Sequence, residues 1–390
     1  MSRRSLITAA LLTWAMVNDL PTAKAQDPKS PKVAWRFVDQ PTKLDLSNPL
    51  WADGAVVFGN QDGVLRALKA EDGAELWKHE HGRRIHNRPC ADQDHVYFSS
   101  DQGLFALSRK DGKAKWHYYI LDGGGPPVVL AAKDTVFVGG NNGFVYAVSA
   151  KTGEFRWKTS ILSDAPPDPP GFPGQQARIG EAWARPTGAS CDGERFYQSV
   201  FDQSRLVAFD VATGKTIWSY QARGWILGTP SLSAAHVFVG SQDKFLHCLD
   251  KRTGKLVWKF PTKSRIESGA AVDAKSVFFG SCDGGVYCVN VADGRQRWRF
   301  DTDADPTGHR SIYSTPVLTD NALYFAAGEG QVYALEKETG NLKWKMRVGD
   351  KSQTYCSPAS DGQRLFVVTR PASDEEGQTS LVAIDTKLSR

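Results

Sequence analysis

Two neighbouring stretches, VFVGSQDKFLHCLDKRTGKLVWKF (residues 237–260) and VFFGSCDGGVYCVNVADGRQRWRF (277–300), decide the fold. Each opens on a β-branched and aromatic run, turns at a polar Ser-x-Asp, and runs again with alternating character. Each then turns at Thr-Gly or Asp-Gly and closes on a third run that contains Trp258 or Trp298. Short runs of period two broken by such turns predict antiparallel strands joined by tight hairpins. The turn glycine takes φ > 0 without the strain a Cβ would bring.

The same unit recurs along the whole chain. Trp77, Trp116, Trp157, Trp218, Trp258, Trp298 and Trp344 each stand four residues after a glycine, at steps of 39, 41, 61, 40, 40 and 46 residues. Ten residues before each Trp stands a small residue: Ala67, Ala106, Ala147, Ala208, Cys248, Cys288 or Ala334. A fourth strand is predicted upstream in each unit, after Pro49, Pro89, Pro186, Pro230, Pro316 and Pro358, with Ala270 holding that place before Trp298. Proline is tolerated at a strand start, where no ladder donor is lost. Four strands per unit, repeated at a period near 40 residues, predict an all-β propeller.

The count closes at eight. The last unit begins at Pro358 and reaches Ala383 without a Trp, while VAWRF (33–37) supplies a lone strand with Trp35 42 residues before Trp77. The expectation is an eight-bladed propeller of four-stranded antiparallel blades over 33–390, its ring closed by the N-terminal strand around Trp35. Closure removes exposed sheet edges. The eight tryptophans of the ladder are therefore assigned to docking between structural elements, and Cys248 and Cys288 to packing in place of Ala.

Residues 1–25 read as a secretory signal, with Arg3-Arg4, a short apolar run over 5–17 and Ala23-Lys24-Ala25 at the cleavage point. Residues 26–32 are a linker. The protein is expected to be exported, periplasmic or extracellular, and peripheral to a membrane at most. No cysteine precedes Cys90, so no lipid anchor is expected. Loss of the signal lowers the formal charge from +5 to +3, spread over the repeats, which argues against a nucleic-acid partner. The six cysteines are scattered over different blades. They predict free thiols rather than a disulfide framework.

The recurring unit of small residue, Asp/Thr-Gly and Trp four residues later resembles the PQQ-like repeat, or tryptophan-docking motif. That repeat is found in quinoprotein alcohol dehydrogenases and in BamB-like scaffold proteins of outer-membrane assembly. The resemblance covers 33–390 and implies the propeller fold. The enzymes carry adjacent cysteines in a disulfide beside the quinone, a calcium site of acidic and amide side chains, and an aspartate base. No two cysteines are adjacent here. The proportions are closer to the BamB-like scaffolds, which are lipid-anchored.

A propeller binds at the mouth of its channel, and the residues five and three before each strand-start position alternate onto one face there. They give Arg84 and His86, Glu181 and Trp183, Trp225, Arg265 and Glu267, Tyr313 and Tyr355. Such a rim can grip an acidic or planar ligand, or a peptide segment. Equally, its charges can pair with each other, Arg265 with Glu267 or Arg84 with Glu181. A proline-rich insertion over 159–185 adjoins the same rim, as lid, docking loop or plain surface insertion. A shorter one, over 301–311 with His309 and Arg310, flanks it. His79 and His81 share a strand face but lack further metal ligands in sequence, so no metal site is assigned.

The reading is a monomeric, non-enzymatic scaffold without a cofactor that binds envelope proteins or peptide segments. The alternatives are a PQQ- and calcium-dependent quinoprotein-like oxidoreductase and a carbohydrate or cell-wall binding module.

Overall fold

The computed structural model describes residues 31–38, 46–85, 87–120, 129–140, 142–161, 186–303, 311–328, 330–348, 352–354, 356–371 and 379–387. Among these there is no helix, and the strands form eight antiparallel sheets. The unit over 231–261 shows the plan. Ser231–Leu232, His236–Gly240, Phe245–Asp250 and Leu256–Pro261 pair in chain order from the innermost strand outward. Blades 1 to 7 take residues 50–80, 90–119, 129–160, 186–221, 231–261, 270–301 and 317–347. Seven of the eight innermost strands begin at or just after their expected Pro or Ala270, and that of blade 3 begins at Val129, where no position had been assigned.

Blade 8 is built from both ends of the sequence. Ala359–Ser360, Arg364–Pro371 and Ser380–Asp385 supply its first three strands, and Val33–Val38 pairs antiparallel with Ser380–Asp385 as the fourth. Trp35 stands opposite Ala383 in that register, as Trp77 stands opposite Ala67. A short strand, Ser352–Gln353, also pairs with the end of Arg364–Pro371.

There is no single central core. Buried side chains form eight clusters, one at each junction between neighbouring blades, because each sheet is apolar on both faces. The ladder explains how the junctions lock. Each small residue is the cross-strand partner of its own blade's Trp, as Cys248 is of Trp258 and Cys288 of Trp298. The indole then leans out onto the following blade. The indole N–H of Trp218 donates to the Lys251 carbonyl at 3.1 Å, and the ring covers Gly254 so closely that a Cβ there would lie 2.5 Å from Cδ2. Trp35, Trp77, Trp116, Trp157, Trp258 and Trp298 repeat both contacts at the next blade. The ladder glycines thus serve twice, since they also hold φ between +67° and +77°. Burial pushes the Cys248 and Cys288 thiols up to about 12, which makes them inert packing groups. All six cysteines are free.

The insertion starts later than the sequence suggests. Thr159 and Ser160 complete the outer strand Phe155–Ser160, and Ile161 is buried behind it. Their alternating character places them in the ladder opposite Val145 and Phe144. Residues 162–185 lie outside the described residues, as do 1–30 and 304–310.

Candidate functional site at the channel mouth

Two kinds of loop meet on one face of the ring: the links between blades, and the turns between second and third strands. The link between blades 5 and 6 is fastened to both blades it joins. The Ile266 amide donates to Ser241 O of blade 5 at 3.1 Å, and the Arg265 carbonyl accepts from the Cys282 amide of blade 6 at 2.9 Å. An isoleucine in the middle of the link anchors it. Ile85, Ile226, Ile266 and Ile312 are buried to 0–1% exposure, and a Cβ on Gly59, Gly240 or Gly280 would run into three of them. These four isoleucines stand four residues before the strand-start positions Pro89, Pro230, Ala270 and Pro316. That spacing was available in the sequence but is hidden between the polar residues on either side.

With the isoleucine turned inward, its two neighbours turn outward, which puts the expected residues on the rim. Arg265 Nε lies 2.7 Å from Glu267 Oε1, and Gln242 Nε2 donates to the same oxygen at 2.7 Å. Arg265 reaches across to blade 7, donating to the Tyr313 hydroxyl at 3.4 Å. Its pKa lies above the usual arginine value because of that bond and the Glu267 carboxylate. The Cys282 thiol sits among these groups and is pushed up by burial and by the Glu267 charge. The internal pairing of Arg265 with Glu267 is therefore present, yet half of the Arg265 side chain stays exposed.

Trp225 is 45% exposed, and its ring packs at 4.5 Å from that of Phe201. Among the described residues the rim therefore presents one exposed indole on an aromatic support, in the link next to that of Arg265. Arg84 donates to Gln61 Oε1 at 2.7 Å on the exposed side of blade 1. His86, Glu181, Trp183 and Tyr355 lie outside the described residues, and so does the other half of the expected Arg84–Glu181 pair.

Two other clusters carry chemistry-bearing side chains. Tyr220 Oη lies 2.9 Å from His247 Nδ1, and His247 Nε2 lies 3.0 Å from Asp243 Oδ1, forming a tyrosine–imidazole–carboxylate chain. The same position four residues past a turn carboxamide or carboxylate holds Tyr146 on Asn142 and Tyr287 on Asp283. The chain is therefore a variant of a turn tie that recurs through the ring, and the His247 side chain is only 4% exposed. His79 and His81 stack with ring centroids 6.4 Å apart, and His81 Nε2 lies 3.0 Å from Ser100 Oγ. Burial lowers both imidazole pKa values, with the neighbouring His79 adding to the effect on His81.

Among the described residues no three His, Cys, Asp or Glu side chains converge as a cation site needs. The rim carboxylate Glu267 is already bonded to Arg265 and Gln242.

The architecture defines a tryptophan-docked, eight-bladed propeller with a built rim at one mouth. The chain belongs to the family whose model is described as outer membrane protein assembly factor BamB, which matches residues 22–168, 175–313 and 283–389. It is 29% identical over 154 residues to outer membrane protein assembly factor BamB of Yersinia pestis, spanning 35% of this chain and 39% of that protein. It is 28% identical over 180 residues to quinohemoprotein alcohol dehydrogenase ADH IIB of Pseudomonas putida, spanning 40% of this chain and 26% of that enzyme. These matches cover well under two thirds of either relative. In three dimensions the crystal structure of BamB from Moraxella catarrhalis superposes with a TM-score of 0.68 at 17% identity, over 92% of this chain and 98% of that one. That likeness establishes the shared fold.

Proposed function

We propose that this protein is an exported, non-enzymatic scaffold of the cell envelope that binds a protein partner, such as an outer-membrane assembly component, at the channel mouth. The observation that carries the reading is the rim itself. Its groups are held by backbone bonds to two blades at once, and they include an exposed indole together with a half-exposed arginine. Trp and Arg in a preorganised setting are the residue types that dominate protein–protein affinity. Membership of a family described by an assembly factor supports the same direction.

The test is photo-crosslinking in the native envelope from positions 225 and 265, with position 256 on the outer strand of blade 5 as control. A discrete adduct from the rim positions, absent from the control and lost in partner capture by Trp225→Ala, is expected. Equal labelling from the outer strand would overturn the rim assignment.

The second reading, a quinoprotein-like oxidoreductase, is favoured by the identity to quinohemoprotein alcohol dehydrogenase. It predicts dye reduction with alcohols after addition of PQQ and calcium. Turnover in that assay would replace the scaffold reading, whereas selective retention on cell-wall glycans through Trp225 would turn it toward carbohydrate binding.

A further inference from the structure

Two positions face each other across a blade junction: the residue before the ladder Trp, and the residue after the carbonyl that this Trp bonds in the next blade. At the junction of blades 6 and 7 they are Arg297 and Glu338, an ion pair at 2.9 Å, while the Lys337 carbonyl accepts from the Trp298 indole at 3.1 Å. One turn thus brings a carboxylate to the cation and an acceptor to the indole.

The junction of blades 7 and 8 has the same places and neither partner. Lys343 precedes Trp344, and the register of Ala383 against Trp35 puts Lys387 where Glu338 stands in blade 7. The turns start alike, since the Thr386 amide donates to Gln363 O as the Lys337 amide does to Asn321 O. Two cations therefore stand where the neighbouring junction has an ion pair. Neither lysine has an ion-pair partner among the described residues, and the buried Trp344 N–H has no acceptor among them. A groove of about 780 Å³ opens between the two blades, lined by Lys343, Lys387, Trp344, Tyr324 and the apolar Val317 and Leu318. Its one acidic lining residue, Asp320, pairs with neither lysine. It lies among the turns that join first to second and third to fourth strands, on the face opposite the rim.

Like charges without a counter-charge repel, and a buried donor left unbonded is costly. A carboxylate answers both, because its two oxygens can accept from several donors at once. At the junction of blades 6 and 7 that group arrives on polypeptide, and the open, partly apolar wall here likewise suits a length of chain. We propose that the groove between blades 7 and 8 docks an acidic segment of a partner protein, with a carboxylate held by Lys343 and Lys387 beside the Trp344 N–H. This second contact surface stands whether or not the rim binds a partner. The junction of blades 2 and 3 supplies the comparison: Lys115 and Lys151 hold the same two places, but Trp116 donates to Ala150 O at 3.0 Å.

Fluorescence anisotropy of a labelled peptide of alternating leucine and glutamate, titrated with the full chain, tests this. The wild type is expected to bind it saturably, more weakly as salt is added, and to bind the glutamine version at least about fivefold more weakly. Lys343→Gln with Lys387→Gln should weaken binding by about fivefold or more and Trp344→Phe by about two- to fivefold, whereas Lys115→Gln with Lys151→Gln should change it by under about twofold. A second readout isolates the indole. In heteronuclear spectra of isotope-labelled protein, the indole N–H signal that is missing from Trp344→Phe should shift when peptide is added to the wild type. Absence of saturable binding, an equal loss in the Lys115 and Lys151 pair, an unmoved Trp344 signal, or displacement of the peptide by an equal concentration of citrate would each overturn the proposal. Binding confined to a chain ending at Lys387 would overturn it too, by showing that residues 388–390 hold the groove.

Discussion

Seven of the eight blade junctions are closed by the same two contacts, and the eighth is not. From Trp35 through Trp298, each indole donates to a carbonyl of the next blade at 2.9–3.1 Å and lies flat on a glycine. At the junction of blades 7 and 8, Trp344 is the most buried of the ladder at 1% exposure, yet its Nε1 has no hydrogen-bond partner among the described residues. The reason is the way blade 8 is made. In the other blades the third and fourth strands are joined by the turn that carries both the acceptor and the glycine. In blade 8 those two strands, Ser380–Asp385 and Val33–Val38, come from opposite ends of the sequence. A groove of about 780 Å³ lies at that place, lined by Tyr324, Trp344, Thr386 and Lys387 among others. The comparison separates two contributions that coincide elsewhere: apolar packing of the indole, which Trp344 retains against Leu365, Val367, Val382 and Ile384, and its polar docking, which Trp344 lacks.

The largest expected effect comes from removing a whole rung. Trp218→Ala deletes packing and the bond to Lys251 O, and should lower unfolding stability by about 3–5 kcal/mol in urea melts. Gly254→Ala attacks the same junction from the other side. Its Cβ would meet the Trp218 ring at a backbone φ of +70°, and the cost should be about 2–3 kcal/mol. Ser or Ala at an exposed position of the neighbouring turn, such as Arg252→Ala, should leave stability nearly unchanged and serves as the control.

A smaller effect distinguishes junction 1–2 from the rest. The places two and four residues past the ladder Trp hold Tyr220 and Ala222, or Phe300 and Thr302, in other blades, but His79 and His81 in blade 1. Their rings press against Phe98 and Phe105 of blade 2, with His117, Asp101 and Arg83 as the other titratable or charged groups around them. Burial lowers both pKa values in the folded state. The unfolded chain therefore takes up protons first as pH falls below the ordinary histidine value of about 6.5. Stability contributed by the neutral pair is present above that pH and is lost as pH falls toward the folded values. Thermal melts of the wild type between about pH 7.5 and 5 should show the decline, and His79→Phe with His81→Tyr should flatten it. A variant whose pH slope matches the wild type would place the sensitive groups elsewhere.

The ladder was readable in the sequence because both of its partners are side-chain identities: Trp needs bulk, and Gly is needed for φ and for space. Ring closure through Trp35 was readable for the same reason, since the period places it opposite Ala383. The acceptors Ala70, Arg109, Ala150, Val211, Lys251, Val291 and Lys337 were not, because a backbone carbonyl can come from any residue. On the rim, the Arg265–Glu267 pair follows from spacing of two on one face. The seating of Trp225 on Phe201 brings together residues from two different loops and leaves no periodic trace.

At regular junctions, polar docking of the indole adds to its packing. Two conservative substitutions test it directly, Trp298→Phe and Trp344→Phe, compared by equilibrium urea unfolding. Trp298 donates to Lys337 O at 3.1 Å and Trp344 donates to no described residue, so the first variant should lose about 1 kcal/mol more than the second. Equal losses, or a greater loss at Trp344, would contradict the claim and leave packing alone as the force that closes the ring.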